Sequence, residues 1–131
     1  MTERRFLGGL GHMAVKLAVG LGAEVTVLSR SKQKQADALQ LGADRLLDTA
    51  DLEAMQQALN AFDVIIDTVP VKHDINPYIP LLDIDGTFAV VGQLGHLNEL
   101  FTIPAIMGRR RIAGSMIGGI AETQEMLNFC A

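Results

Sequence analysis

Apolar and polar positions along this chain follow two alternating periods. Met13, Val15, Leu17, Ala18, Val19 and Leu21 form a broad apolar helical face, which Gly22 would stop. The pattern turns to strand at Glu24-Val25-Thr26-Val27-Leu28. Ser31 can cap a helix running through Leu41, with Ala36, Leu39 and Leu41 as its buried side and Gly42 as its stop. Arg45-Leu46-Leu47-Asp48 predicts a short strand. Asp51 or Thr49 can cap the next helix, whose Leu52, Met55 and Leu59 recur at helical spacing. Asp63-Val64-Ile65-Ile66-Asp67-Thr68 is a continuous apolar run, suited to a parallel strand buried on both faces. A short helix is expected over residues 75–82, then a turn at Asp85-Gly86 and a second buried strand at Thr87-Phe88-Ala89-Val90-Val91-Gly92. Residues 100–103 and 111–117 are further strand candidates, and residues 123–130 predict a closing helix.

Strands alternating with helices argue an α/β fold with a doubly wound, mostly parallel sheet. At 131 residues and 49% apolar, the chain fits a single domain over 1–131. The net charge of −4 supplies no basic field for nucleic acid, and Arg109-Arg110-Arg111 reads as a local surface feature. No apolar stretch approaches the roughly 20 residues a membrane span needs, and no signal peptide is visible. A single cysteine, Cys130, offers neither an intrachain disulfide nor a thiolate zinc site, so a reducing, cytoplasmic setting is expected.

The chemistry concentrates near the start. Gly8-Gly9-Leu10-Gly11 opens directly into a helix, and a strand follows that helix. Such a turn lets the backbone approach a pyrophosphate, while the helix N-terminus offers free N–H groups and a positive dipole end. The strand then ends in Ser29-Arg30-Ser31-Lys32, with no carboxylate before Asp37. An NAD site places Asp or Glu there to accept from the ribose hydroxyls. Arg30 and Lys32 suit a 2′-phosphate instead, with Ser29 and Ser31 as hydrogen-bond donors, so NADP is the expected cofactor.

Leu7-Gly8-Gly9-Leu10-Gly11-His12-Met13-Ala14-Val15-Lys16 and Gly22-Ala23-Glu24-Val25-Thr26-Val27 resemble the nucleotide-binding Rossmann domain of medium-chain, zinc-dependent alcohol dehydrogenases, cinnamyl-alcohol-dehydrogenase-like group. Leu41-Gly42-Ala43-Asp44, Phe62 to Val69, Gly86 to Gly92 and Gly114 to Gly119 extend the resemblance to nearly the whole chain. It implies that Gly8, Gly9, Leu10 and Gly11 wrap the pyrophosphate, and that Ser29, Arg30, Ser31 and Lys32 hold the 2′-phosphate. Thr68, Val69 and Pro70 would line the adenine and ribose. Val91, Gly92 and Leu94, with Ser115, Met116 and Ile117, would meet the nicotinamide end.

Two departures shape the expected function. The family's turn reads Gly-x-Gly-Gly-x-Gly, and Phe6 stands at its first glycine, which predicts weakened cofactor affinity. Met1-Thr2-Glu3-Arg4-Arg5-Phe6 also replaces the central first strand, so a truncated first strand and a gap in the sheet are expected. The family's catalytic zinc is held by a domain for which this chain shows no counterpart. His12, His73 and His96 have no ligand spacing among them, so zinc is expected only in full-length family members. The expected function is therefore an incomplete dinucleotide-binding domain of an NADP-dependent alcohol or aldehyde oxidoreductase, not catalytic alone; the alternative is a non-enzymatic nucleotide-binding or dimerising module. The apolar run Leu100-Phe101-Thr102-Ile103-Pro104 predicts an edge strand through which two chains form a homodimer.

Overall fold

The computed structural model describes residues 9–31, 34–97 and 99–131. Gly8, Lys32 and the proposed stub at residues 1–6 lie outside them. Helix α1 (Gly9–Gly20) is followed by strand β1 (Thr26–Ser29), helix α2 (Gln35–Gln40), strand β2 (Arg45–Asp48), helix α3 (Leu52–Gln57) and strand β3 (Phe62–Asp67). A 3₁₀ turn (Ile79–Leu81) leads into β4 (Leu82–Val90), then α4 (Ile103–Gly108), β5 (Arg111–Gly114) and α5 (Ile120–Cys130). Every strand pairing is parallel, as βα alternation requires. Among the described residues the strands form two sheets, β1-β2 and β3-β4-β5.

Local chemistry explains the boundaries. Gly22 and Gly42 adopt φ of 84° and 98°, and the chain closes behind each helix by paired bonds, Ala23 N–H to Ala18 O and Ala43 N–H to Ala38 O. These are Schellman ends that a side chain at either position would strain. Asp51 caps α3 by accepting from the N–H groups of Glu53 and Ala54. Glu122 Oε2 accepts from Gly119 N–H, so α5 begins at Ile120 rather than at residue 123.

Several expectations are corrected. Ser31 does not cap α2; Lys34 precedes it, without a side-chain cap, and Ser31 N–H donates instead to Ser29 Oγ. The helix expected over residues 75–82 is a turn followed by one 3₁₀ turn, because Pro80 removes a donor. Asp85-Gly86 does not end an element. It forms a bulge within β4, whose register to β3 shifts between Phe62↔Leu82 and Val64↔Thr87. Residues 100–102 have no regular structure, and Ile103 and Pro104 open α4, because proline is pre-set for a helix's first turn. The second of the two later candidates narrows to β5, which ends at Gly114. β3 is not buried on both faces either. Ile65 and Asp67 are buried, while Val64 and Ile66 are about half exposed.

The larger core gathers Ile65, Ile75, Tyr78, Ile79, Leu82 and Phe88 under β3 and β4. A smaller one joins Val15 of α1 to Val27, Ala38 and Ala43. Arg109 and Arg111 are exposed, and the run of residues 109–111 also ties elements together. Arg110 donates to Leu82 O at 2.9 Å, Pro104 O at 2.7 Å and Asn60 Oδ1 at 2.6 Å, tying the β4 bulge to α4 and to the turn before β3. Arg109 grips Asp85 with two bonds of 3.0 and 2.9 Å and holds that carboxyl below the usual carboxylate range. Arg110→Met keeps the aliphatic stem and leaves three acceptors unmatched. A loss of about 2 kcal/mol is expected from urea unfolding, since bonds to charged donors each contribute roughly 1.5–3 kcal/mol.

Candidate functional site

Residues that end or follow β1, β2 and β3 (Arg30, Thr49 and Asp67) gather in one cluster. Its centre is Tyr78, which packs edge-on to His73 at 6.3 Å and stacks on Phe88 at 6.4 Å. Burial pushes the Tyr78 phenol up, with Thr49 and the positive charge of Arg30 opposing that shift. Arg30, directly after β1, and Asp67, the last residue of β3, therefore both lie within electrostatic reach of the same ring.

Asp67 organises the loop behind β3. Its side chain is 4% exposed. Oδ1 accepts from Val69 N–H at 3.0 Å, and Oδ2 lies 2.9 Å from His73 Nε2. His73 Nδ1 is 2.9 Å from Val71 O. Nδ1 and Nε2 thus each lie within 3 Å of an oxygen, of Val71 and Asp67 respectively. The backbone oxygen of Asp67 accepts from Val91 and Gly92 N–H, each at 3.0 Å, so one residue joins the loops after β3 and β4. The loops touch closely: a Cβ on Gly92 would lie 2.4 Å from Val69 O. Glycine is required there for close approach.

The anticipated site residues divide into groups. Gly9, Leu10 and Gly11 form the first turn of α1, with Leu10 exposed and Gly11 buried. Gly11 and Thr68 line the same cavity of about 400 Å³, which runs between the two sheets beneath α1. Arg30 is exposed at the end of β1, whereas Ser29 is buried and its hydroxyl accepts from Ser31 N–H. Val69 is buried beside the exposed Pro70. Val91 and Gly92 belong to the Asp67-centred junction. Leu94 is a core residue, 7% exposed among Ile75, Tyr78 and Phe88. Ser115 is held by Val90 O through its N–H, while Met116 and Ile117 are 89% and 91% exposed and line no part of the cavity. Asp67, His73 and Tyr78 are the organising residues that the motifs did not single out. A polar residue ending an apolar strand was the available signal at Asp67. Among the described residues no cluster of three His, Cys, Asp or Glu side chains could hold a metal ion.

Parallel strands, flanking helices and a polar cluster at the strand carboxyl ends define a Rossmann-like α/β protein. Residues 9–131 match the family described as zinc-binding dehydrogenase, and the chain belongs to that family. It is 49% identical over 125 residues to NADP-dependent alcohol dehydrogenase C 1 of Mycolicibacterium smegmatis, covering 95% of this chain and 36% of that relative. Among solved structures, a cinnamyl alcohol dehydrogenase of Sorghum bicolor superposes with a TM-score of 0.89 at 45% identity, over 95% of this chain and 35% of that one. The CAD of Helicobacter pylori complexed with NADP(H) superposes with a TM-score of 0.78 at 41% identity, over 93% and 35%. The chain thus spans about a third of the length of the relatives it matches.

Proposed function

We propose that this chain is an NADP(H)-binding unit of an alcohol or aldehyde oxidoreductase and does not turn over substrate by itself. The observation that carries this reading is Arg30, exposed at the carboxyl end of β1, in a segment (residues 29–31) that has no carboxylate. The hydroxyl groups of Thr49, which follows β2, and of Tyr78 lie in the same cluster as Arg30. These features fit a phosphorylated ribose. The first turn of α1 supplies backbone N–H groups for the pyrophosphate, Arg30 and Ser31 bind the 2′-phosphate, and Thr68 and Pro70 flank the adenosine. Val69 and Leu94 act from beneath by fixing the loops. When bound, the dinucleotide supplies the hydride-carrying nicotinamide; the residues described here bind and orient it. Arg30→Asp removes the cation and adds a repulsive charge. It should erase or reverse a preference for NADPH over NADH of at least about tenfold, given roughly 1.5–3 kcal/mol for a charge-assisted contact. Unchanged preference in a fluorescence titration would refute the assignment.

The second reading is a dimerising module. Phe101, Ile103, Ile106 and Met107 are between 51% and 81% exposed and form a contiguous apolar stretch, though not as an edge strand. A homodimer through residues 100–104, continuing onto α4, would cover it. Phe101→Lys should then convert the sedimenting species to monomer at micromolar concentration; a parent chain already monomeric there would exclude the dimer.

A further inference from the structure

The β4 bulge holds a chemically labile dipeptide. Asp85 is the one aspartate of this chain followed by glycine, and no asparagine is. In an Asp-Gly pair no side chain on the glycine hinders its backbone nitrogen from reaching the aspartate Cγ. The fold needs both residues. A Cβ on Gly86 would lie 2.9 Å from Asp83 O and 3.2 Å from Asp63 O, so glycine is required there. Asp85 has φ of 63°, a left-handed conformation that glycine, asparagine and aspartate tolerate best. Among the described residues, 83–86 have no register partner in the β3–β4 or β4–β5 ladder, and the Asp85 side chain is 49% exposed. Little sheet bonding therefore opposes local opening, and water reaches the site.

We infer that Asp85-Gly86 is a site of spontaneous backbone isomerisation, which Arg109 holds in check in the folded chain. The Gly86 nitrogen attacks Asp85 Cγ and an N–C bond forms. One carboxyl oxygen leaves as water, carrying the acid proton and the amide proton, and a cyclic imide remains. Water then opens either carbonyl of the imide, returning aspartate or an isoaspartate whose main chain runs through the former side chain. No oxidant or cofactor enters. Only the neutral acid loses water readily, because an ionised carboxylate would have to expel oxide. Arg109 opposes that step. Its Nε and Nη2 donate to the two carboxyl oxygens at 3.0 and 2.9 Å and keep the acid ionised, and the charge of Arg111 adds to the effect. Arg111 Nη1 also donates to Asp85 O at 3.0 Å, which fixes the peptide group that joins it to Gly86. Isoaspartate here would insert a methylene into the main chain directly before Thr87, where β4 pairs with Val64 and Arg111. The modified chain should therefore lose β4 register, whatever it binds.

The test incubates the full chain at neutral pH and physiological temperature, beside a free peptide of residues 82–87. Electron-transfer fragmentation of proteolytic peptides separates isoaspartate from aspartate. Isoaspartate is expected at residue 85 before any other aspartate, and at least about tenfold more slowly in the folded chain than in the free peptide, because the reaction waits on local opening. Arg109→Met keeps the aliphatic stem and removes the paired bonds. It should raise the rate at residue 85 at least about threefold, since the neutral fraction of an acid changes tenfold per unit of pKa, while the parent's circular dichroism is retained. If that variant misfolds, Arg109→Lys, which keeps the charge without the paired bonds, must still isomerise faster than the parent. Equal rates in the parent and the Arg109 variant would overturn the inference. So would an unmodified residue 85 in that variant while the free peptide converts, or earlier isoaspartate at another position.

Discussion

Phe88→Ala should remove about 3–5 kcal/mol of stability, the cost typical of emptying a well-packed aromatic site. Phe88 is 1% exposed, stacks on Tyr78 and belongs to the core cluster that carries Leu82 and Ile65. It also forms the floor of the inter-sheet cavity, so truncation enlarges an existing void instead of allowing collapse. Urea unfolding should show a lower midpoint with an unchanged slope. A loss below about 1 kcal/mol would mean that this core relaxes far more than its burial implies.

Gly92→Ala has the second largest expected effect. The added Cβ would meet three backbone atoms, at 2.4 Å from Val69 O, 2.7 Å from Val69 C and 2.8 Å from Thr68 C. No side chain can rotate away to relieve that contact, so the loops after β3 and β4 must separate. Overpacking typically costs about 1–3 kcal/mol, and a rigid backbone obstacle places this variant near 3 kcal/mol. Separation would also break the bonds from Val91 and Gly92 N–H to Asp67 O. NADPH affinity should therefore fall in this variant even at temperatures where it stays folded. Wild-type stability and affinity together would contradict the role given to the junction.

Much of this fold was legible because its signals are local. Gly22 and Gly42 end helices through their own backbone freedom, and Asp51 caps α3 within its own turn. The strand at Phe62–Asp67 was evident from its β-branched run, yet its burial was not. Exposure of Val64 and Ile66 depends on what covers that face, which no window of sequence records. Leu100 to Ile103 misled because a short apolar run has no period of its own, and Pro104 decided for a helix. The candidate site was half visible. Arg30 announced itself by the missing carboxylate, while the Asp67–His73 contact exists only because the intervening loop folds back through Val71 O. Leu94 looked like a lining residue by its place after a strand, but tertiary packing turned it into the core.

The central claim is that the carboxyl end of β1 reads a 2′-phosphate, and a calorimetric titration of the parent chain with NADPH and with NADH tests it most directly. The account predicts measurable NADPH binding at least about tenfold tighter than NADH, consistent with one charge-assisted phosphate contact. NADH binding as tightly as NADPH, or more tightly, would contradict it.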